Sequence, residues 1–425
     1  MFQIENLSAL EILDSRGHPT VQTTCRLASG SEATVSVPSG ASTGTAEAYE
    51  LRDGDPTRYR GLGCRRAVAN VNETLHRALA RGNFSDQSEL DHALIEFDGT
   101  PNKSNLGANA ILSVSVAFAR ACAAQRGVPL YQHFADLIGG KQPTLPRPTI
   151  NLFSGGKHGG GQAPVQDVLV VPASAGSIDE ALAMTFAVYQ AAADLCAKKY
   201  GMRLLRADEG GLAPPFNSAE AMLEDTVTSI TAAGLRPGTD VMLAVDVAAT
   251  HFFKGGCYHL GPTPLDSSGM IDEIARWTGN YPIVSIEDGL AEEDWMHWPQ
   301  LHARIGSRAL VVGDDFLCTS PQRIRRAIAT KAANALLLKV NQVGTLAEAL
   351  EACRLARAAG WHVIVSARSG ETEDNWLADL AVGWTADQIK VGSITQSERL
   401  SKYNRLLAIE AETRLPMVRF PDLGL

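Results

Sequence analysis

The chain has 425 residues, 45% hydrophobic and 20% charged, with a net charge of −9 at neutral pH. That length allows a large core and two or three domains. The negative balance argues against non-specific nucleic-acid binding but leaves room for a small anionic substrate held by local positive charge. Seven cysteines without a CxxC pair argue against a disulfide framework or a zinc site and fit a reducing compartment, the cytoplasm.

In chain order, residues 2–37 predict three strands. FQIENLSALEIL, TVQTTCRLA and EATVSV carry them, separated by turn residues at 14–19 and 29–31. A Gly/Ser loop, PSGASTG (38–44), follows, and helical patterns come next at about 63–81, 86–97 and 107–126. Strands first and helices after predict a small α+β domain. The chain starts with acidic residues and lacks a basic segment before an apolar core, so it does not read as a signal peptide. The longest apolar helix pattern, Ala108 to Ala124, is interrupted by Asn109 and Arg120 and is too short for a bilayer; no membrane partner is expected. A Pro/Gly-rich stretch at 139–148 predicts a boundary between domains at 1–138 and 139–425.

From about residue 149, strand and helix patterns alternate nearly to the end. Five apolar runs each finish on a charged group: VMLAVD (241–246), PIVSIE (282–287), LVVGDD (310–315), ALLLKV (335–340) and ADQIK (386–390). Continuous apolar runs mark strands buried on both faces, and the inserts between them are long enough for helical crossovers. The pattern predicts a (β/α)8 barrel, whose chemistry sits at the C-terminal strand ends. Those ends supply Asp246, Glu287, Asp314, Lys339 and Lys390.

Three hard oxygen donors on such ends predict a shared divalent site of the kind Mg2+ takes. One alone would read as a helix cap, a duty expected here of Asp288 and Asp315. Two readings of the lysines stay open. They form salt bridges across the mouth, or neighbouring cations depress the pKa of one until it serves as a base. The basic stretch from Arg323 to Lys331 has helical spacing and reads as a solvated face.

Two glycine-rich segments, PSGASTG and SGGKHGGG (154–161), carry Ser42 and His158. Each suits a lid that excludes water, and each also reads as a plain turn. LLRADE (204–209) puts Asp208 and Glu209 at another apparent strand end. Arg368 with Ser369 offers a planar cation and a hydroxyl suited to a phosphate-like anion.

Together these residues resemble enolase. The likeness runs through DSRGHPTV (14–21), PSGASTG, ELRDGD (50–55), NKSNLGANAILSVS (102–115), DEGG (208–211), SIEDGL (285–290), GDD (313–315), LLLKVNQVGT (336–345), SGETED (369–374) and QIKVGS (388–393). It implies an α/β chain with an N-terminal α+β domain capping a modified (β/α)8 TIM-type barrel. It also implies a homodimer or larger homo-oligomer that dehydrates 2-phosphoglycerate to phosphoenolpyruvate with two Mg2+ ions.

Position by position, the resemblance implies Asp246, Glu287 and Asp314 as ligands of the first Mg2+, with Ser42 helping to bind the second. Lys339 would be the general base and Glu209 the general acid. Lys390 would bind the substrate carboxylate, Arg368 and Ser369 its phosphoryl group, and His158 would close over it.

Two positions depart from the family pattern. Gln166-Asp167 stands where enolases have Gln-Glu, leaving a carboxylate one methylene shorter to share a proton with Glu209. Ser366-Ala367-Arg368-Ser369 stands where they have Ser-His-Arg-Ser, so an imidazole is replaced by a methyl group. With the metal triad and both lysines present, the expectation is a repurposed enzyme. Its substrate would be bulkier at phosphorus, such as 2-carboxyphosphonoglycerate converted to carboxyphosphonoenolpyruvate in phosphonate biosynthesis. Ordinary glycolytic enolase activity and a non-catalytic binding paralogue are the alternatives.

Overall fold

The computed structural model describes residues 1–40, 44–140, 142–157, 159–161, 163–201 and 205–419. Period-two alternation builds the first sheet, in which antiparallel β1 (Phe2–Leu13), β2 (Pro19–Leu27) and β3 (Glu32–Ser36) are joined by a short β4 (Asn83–Phe84) in the order β3-β2-β1-β4. Val21, Cys25 and Val35 are buried on its inner face, against the helix Ala108–Arg126. Phe118 of that helix meets Phe2 and Phe84 edge to face, with ring centres 6.0 and 5.9 Å apart. Asn109, an apparent interruption of the helix pattern, clamps the backbone of Leu51: its Oδ1 accepts from the amide at 3.2 Å and its Nδ2 donates to the carbonyl at 3.1 Å.

The remaining strands are β5 (Arg147–Ser154), β6 (Asp167–Pro172), β7 (Val241–Asp246), a hairpin of β8 (Phe253–Lys254) and β9 (Cys257–Tyr258), then β10 (Ile283–Glu287), β11 (Leu310–Gly313), β12 (Ala335–Leu338), β13 (His362–Ser366) and β14 (Gln388–Lys390). Eight of them close a barrel in the order β10-β11-β12-β13-β14-β5-β6-β7. The expected strand–helix alternation fails at its start. Among the described residues of 155–166 there is no helix, and the chain doubles back so that β6 runs antiparallel to both β5 and β7. Two helices, Ile178–Tyr200 and Ala219–Ala232, then lead to β7. Because β6 is reversed, its first residue, Asp167, lies at the rim where the other strands have their last.

Strand phase explains which side chains enter the mouth. Leu169 and Val171 of β6, Met242 and Ala244 of β7, Leu310 and Val312 of β11, and Ala335 and Leu337 of β12 form the barrel's interior layers. Two residues along the same faces come Asp167, Asp246, Asp314 and Lys339. Below them the barrel is nearly solid, with about 10 Å3 of space among Thr149, Ala244, Ser285, Gln388 and their neighbours.

A further sequence expectation needs correction. The described part of LLRADE is not a strand end: Arg206 and Leu212 form an isolated bridge, and Asp208 to Gly210 is a turn. The basic stretch at 323–331 is largely solvent-facing as expected, with Arg325, Arg326 and Lys331 exposed and Arg323 partly buried. Arg323 donates to Glu293 at 2.8 Å and to the Phe316 carbonyl at 2.6 Å, and the Arg326 guanidinium lies 3.9 Å from the ring centre of Trp295.

The N-terminal domain rests on the barrel rim. Ser39 and Gly370 exchange backbone hydrogen bonds at 2.8 and 2.9 Å, Arg120 pairs with Asp374 at 2.6 Å, and Asp91 accepts from the Ala347 amide at 2.8 Å. Among the described residues, no helix is long and apolar enough to cross a membrane.

Candidate active site

At the mouth, Lys390 Nζ lies 2.9 Å from Asp246 Oδ2 and 2.7 and 2.6 Å from the two oxygens of Glu287. Lys339 Nζ lies 2.5 Å from Asp314 Oδ2, whose other oxygen accepts from Gln342 at 2.9 Å. All five charged groups are buried or nearly so. Burial works against both ammonium ions. Burial is the largest single influence on Lys339, yet the surrounding carboxylates, Asp314 first and then Glu287, together hold that lysine above its ordinary pKa; Asp246 and Glu287, with Asp167 and Glu209, do the same more strongly at Lys390. The ion-paired reading of the lysines is therefore the one the structure displays.

Burial, then repulsion from Asp246, lifts Glu287 well above the usual carboxylate range. Asp167 and Glu209 also act on Lys390. Five carboxylates thus crowd two ammonium groups, a negative excess of the kind a divalent cation relieves.

Asp167 accepts from Ser154 Oγ at 2.5 Å, and Glu209 accepts from Asn151 Nδ2 at 3.0 Å. Gln166 donates to Asp246 at 3.2 Å. The side-chain oxygens of Gln166 and Asn151 are buried and meet no donor among the described residues. Such acceptors suit a bound hydroxyl or the water shell of a cation. Oxygen donors of this kind suit a hard divalent cation such as Mg2+.

Among the described residues, the carboxylate trio close enough to share one cation is Asp288, Asp314 and Asp315, whose oxygens all lie within 4.8 Å of one another. Asp288, at a left-handed φ of 43°, accepts from the amides of Asp314 and Asp315 at 2.9 and 2.8 Å. It therefore fixes the end of β11, whereas the helices expected to be capped by Asp288 and Asp315 begin at His297 and Ser320. Burial and the Asp314 charge push Asp315 up to about 7.

Arg368 lies against the N-terminal domain. Its guanidinium grips Glu47 through both nitrogens, at 2.9 and 3.2 Å, and donates to Asn341 at 3.0 Å. A Cβ on Gly40 would lie 1.9 Å from Arg368 Nη2, so a side chain there would push the guanidinium from its present place. Ser369 Oγ accepts from Arg16 at 3.3 Å. Ala367 is 7% exposed and donates its amide to the Lys390 carbonyl at 2.9 Å, which places it beside both Lys390 and Arg368. Ser42 and His158 lie outside the described residues.

Sequence reasoning missed Asn151, Ser154, Gln342 and Glu47 as members of this site. Asn151 had a readable signal, since it stands in phase with Thr149 on an apolar strand. Glu47 had none, because its partner is 321 residues away.

Two family models match the chain: the enolase C-terminal TIM barrel domain over residues 142–415 and the enolase N-terminal domain over residues 4–134.

Proposed function

From the premise that the chain belongs to the enolase family, a family of magnesium-dependent hydro-lyases, we propose that it is a Mg2+-dependent dehydratase. It acts on a 2-phosphoglycerate-like substrate enlarged at phosphorus. The specific candidate is 2-carboxyphosphonoglycerate, converted to carboxyphosphonoenolpyruvate in a phosphonate biosynthetic route. The chain works in the cytoplasm as a homodimer or larger homo-oligomer, with its domains dividing at residues 138 and 139. The observation that carries the enlarged substrate is Ala367, a methyl group at the family's imidazole position and bonded through its amide to Lys390.

The chemistry asks for a strong electrostatic site. A proton beside a carboxylate is weakly acidic, because its removal adds charge to an existing anion. Two Mg2+ ions, the first held by Asp246, Glu287 and Asp314 and the second by Ser42 with the substrate, would supply Lewis-acid stabilisation there. Lys339 takes the proton at C2, which requires it to lose the one it shares with Asp314. Asp314 and Glu287 hold Lys339 protonated, and a cation held by those carboxylates would offset that pull. Lys390 and Gln166 bind the substrate carboxylate, and Arg368 and Ser369 bind its phosphorus end. Glu209, with Asp167 beside the same lysine, delivers a proton to the departing hydroxyl. His158 closes over the bound molecule.

Ordinary glycolytic enolase activity is the second reading, favoured by the presence of both lysines and all three triad carboxylates. Rates of the purified chain on the two substrates separate them. Preference for the carboxyphosphono compound supports the proposal; full turnover of 2-phosphoglycerate with no gain on the larger substrate overturns it. A non-catalytic paralogue would show neither turnover nor stabilisation by Mg2+.

A further inference from the structure

A buried ion pair joins the N-terminal domain to Arg368. Glu47 lies in the loop entering the ELRD segment, yet its carboxylate sits on the Arg368 guanidinium in a two-pronged pair, at 2.9 and 3.2 Å. Both side chains are buried, at 7% and 3% exposure. A fork-to-carboxylate pair is the geometry with which arginine also receives a phosphoryl or phosphonyl group. The same carboxylate holds its own loop: Glu47 Oε1 accepts from the Gly44 amide at 3.1 Å and from Gln342 at 3.4 Å. Gln342 in turn donates to Asp314 at 2.9 Å.

We infer that Glu47 is an internal competitor for the anion seat of Arg368, and that an arriving phosphoryl or phosphonyl group must displace it. This rests on the reading that Arg368 receives the phosphorus end of the substrate. Two anionic groups cannot share one buried guanidinium without strong repulsion. The displaced carboxylate has a place to go. Glu47 and Arg368 together wall a cavity of about 510 Å3 at the domain junction, whose other lining groups include Arg16, His18 and Arg52.

Displacement breaks the bond to the Gly44 amide, so occupancy of the seat reaches that residue. It also releases one partner of Gln342 and so reaches Asp314. Glu47 acts in this way as a positioning residue that sets how strong an anion must be to enter. A dianionic phosphorus group competes with the carboxylate, and a lone carboxylate ligand does not.

The test is calorimetric titration of the full chain, in Mg2+, with inorganic phosphate and with acetate. Glu47→Gln keeps an acceptor for Gly44 but removes the competing charge, and is expected to bind phosphate about tenfold more tightly than the parent. Glu47→Asp, too short to span the fork, is expected to tighten it as well and serves if the Gln variant misfolds. Amide exchange at Gly44 should speed up when phosphate binds the parent chain and be insensitive to phosphate in Glu47→Gln, a response that a merely structural role would not give.

Arg368→Ala must lose phosphate affinity; if it does not, the seat is misplaced and the proposal falls with it. If Arg368→Ala weakens binding while Glu47→Gln and Glu47→Asp bind no more tightly than the parent, the competitor role alone is overturned.

Discussion

Asp167, the first residue of β6, pairs in register with Asp246, the last residue of β7. The reversed strand thus adds a carboxylate to the rim that a uniformly parallel barrel would have placed at the opposite end. Lys390 sits in the combined field of Asp246, Glu287, Asp167 and Glu209. Its charge stabilises the crowded mouth, and its loss should be felt there first.

Lys390→Met should cost about 3–5 kcal/mol of stability, because it leaves Asp246 and Glu287 buried without their shared cation. Thermal unfolding in a chelator is the measurement. Millimolar Mg2+ should recover part of the lost melting temperature. A variant as stable as the parent in chelator would show that the pair contributes nothing.

Lys339→Ala should lower kcat by roughly 10² to 10⁴ while keeping Mg2+ affinity. The lysine is assigned to proton transfer, and its removal frees Asp314 to face a cation. Steady-state kinetics beside a Mg2+ titration separates the two effects. A parallel loss of both would mean that Lys339 only shapes the site.

Ala367→His puts an imidazole where the resemblance to enolases implies one. On 2-phosphoglycerate it should raise kcat/KM by about 10² or more and should lower the rate on the carboxyphosphono substrate. Adding Asp167→Glu should act in the same direction. No change on either substrate would detach Ala367 from specificity.

Asp91 predicts a pH effect on stability away from the active site. It accepts from the Ala347 amide at 2.8 Å and from Gln87 at 3.0 Å, and burial pushes its carboxyl up to about 7. The folded state therefore favours its protonated form. The stability it contributes is complete below about pH 4, the unfolded value, and is lost as pH rises through about 7. Asp91→Asn should flatten the fall in stability between those values. Denaturant unfolding across that pH range would show a slope as steep as the parent's if the assignment were wrong.

The parts of the site that were legible in the sequence share one property. Asp246, Asp314 and Lys339 end or just follow apolar strands, so the two-residue period that buries Ala244, Val312 and Leu337 also points them into the mouth. The reversal of β6 was not legible, since a strand buried on both faces reads the same in either direction and only the missing helix at 155–166 hinted at it. Asp288 was misjudged because its neighbour suggested a cap on its own helix, whereas its carboxylate reaches across to the amides ending β11. Glu47 and Arg368 meet only after two domains have folded and docked.

The most direct measurement is exchange of the C2 proton of 2-phosphoglycerate with deuterium from solvent. It reports proton removal even if the shortened Asp167 or the absent imidazole slows departure of the hydroxyl. The account predicts exchange that requires Mg2+ and vanishes in Lys339→Ala. Absence of exchange in the parent chain with saturating Mg2+, or exchange that survives loss of Lys339, would contradict it.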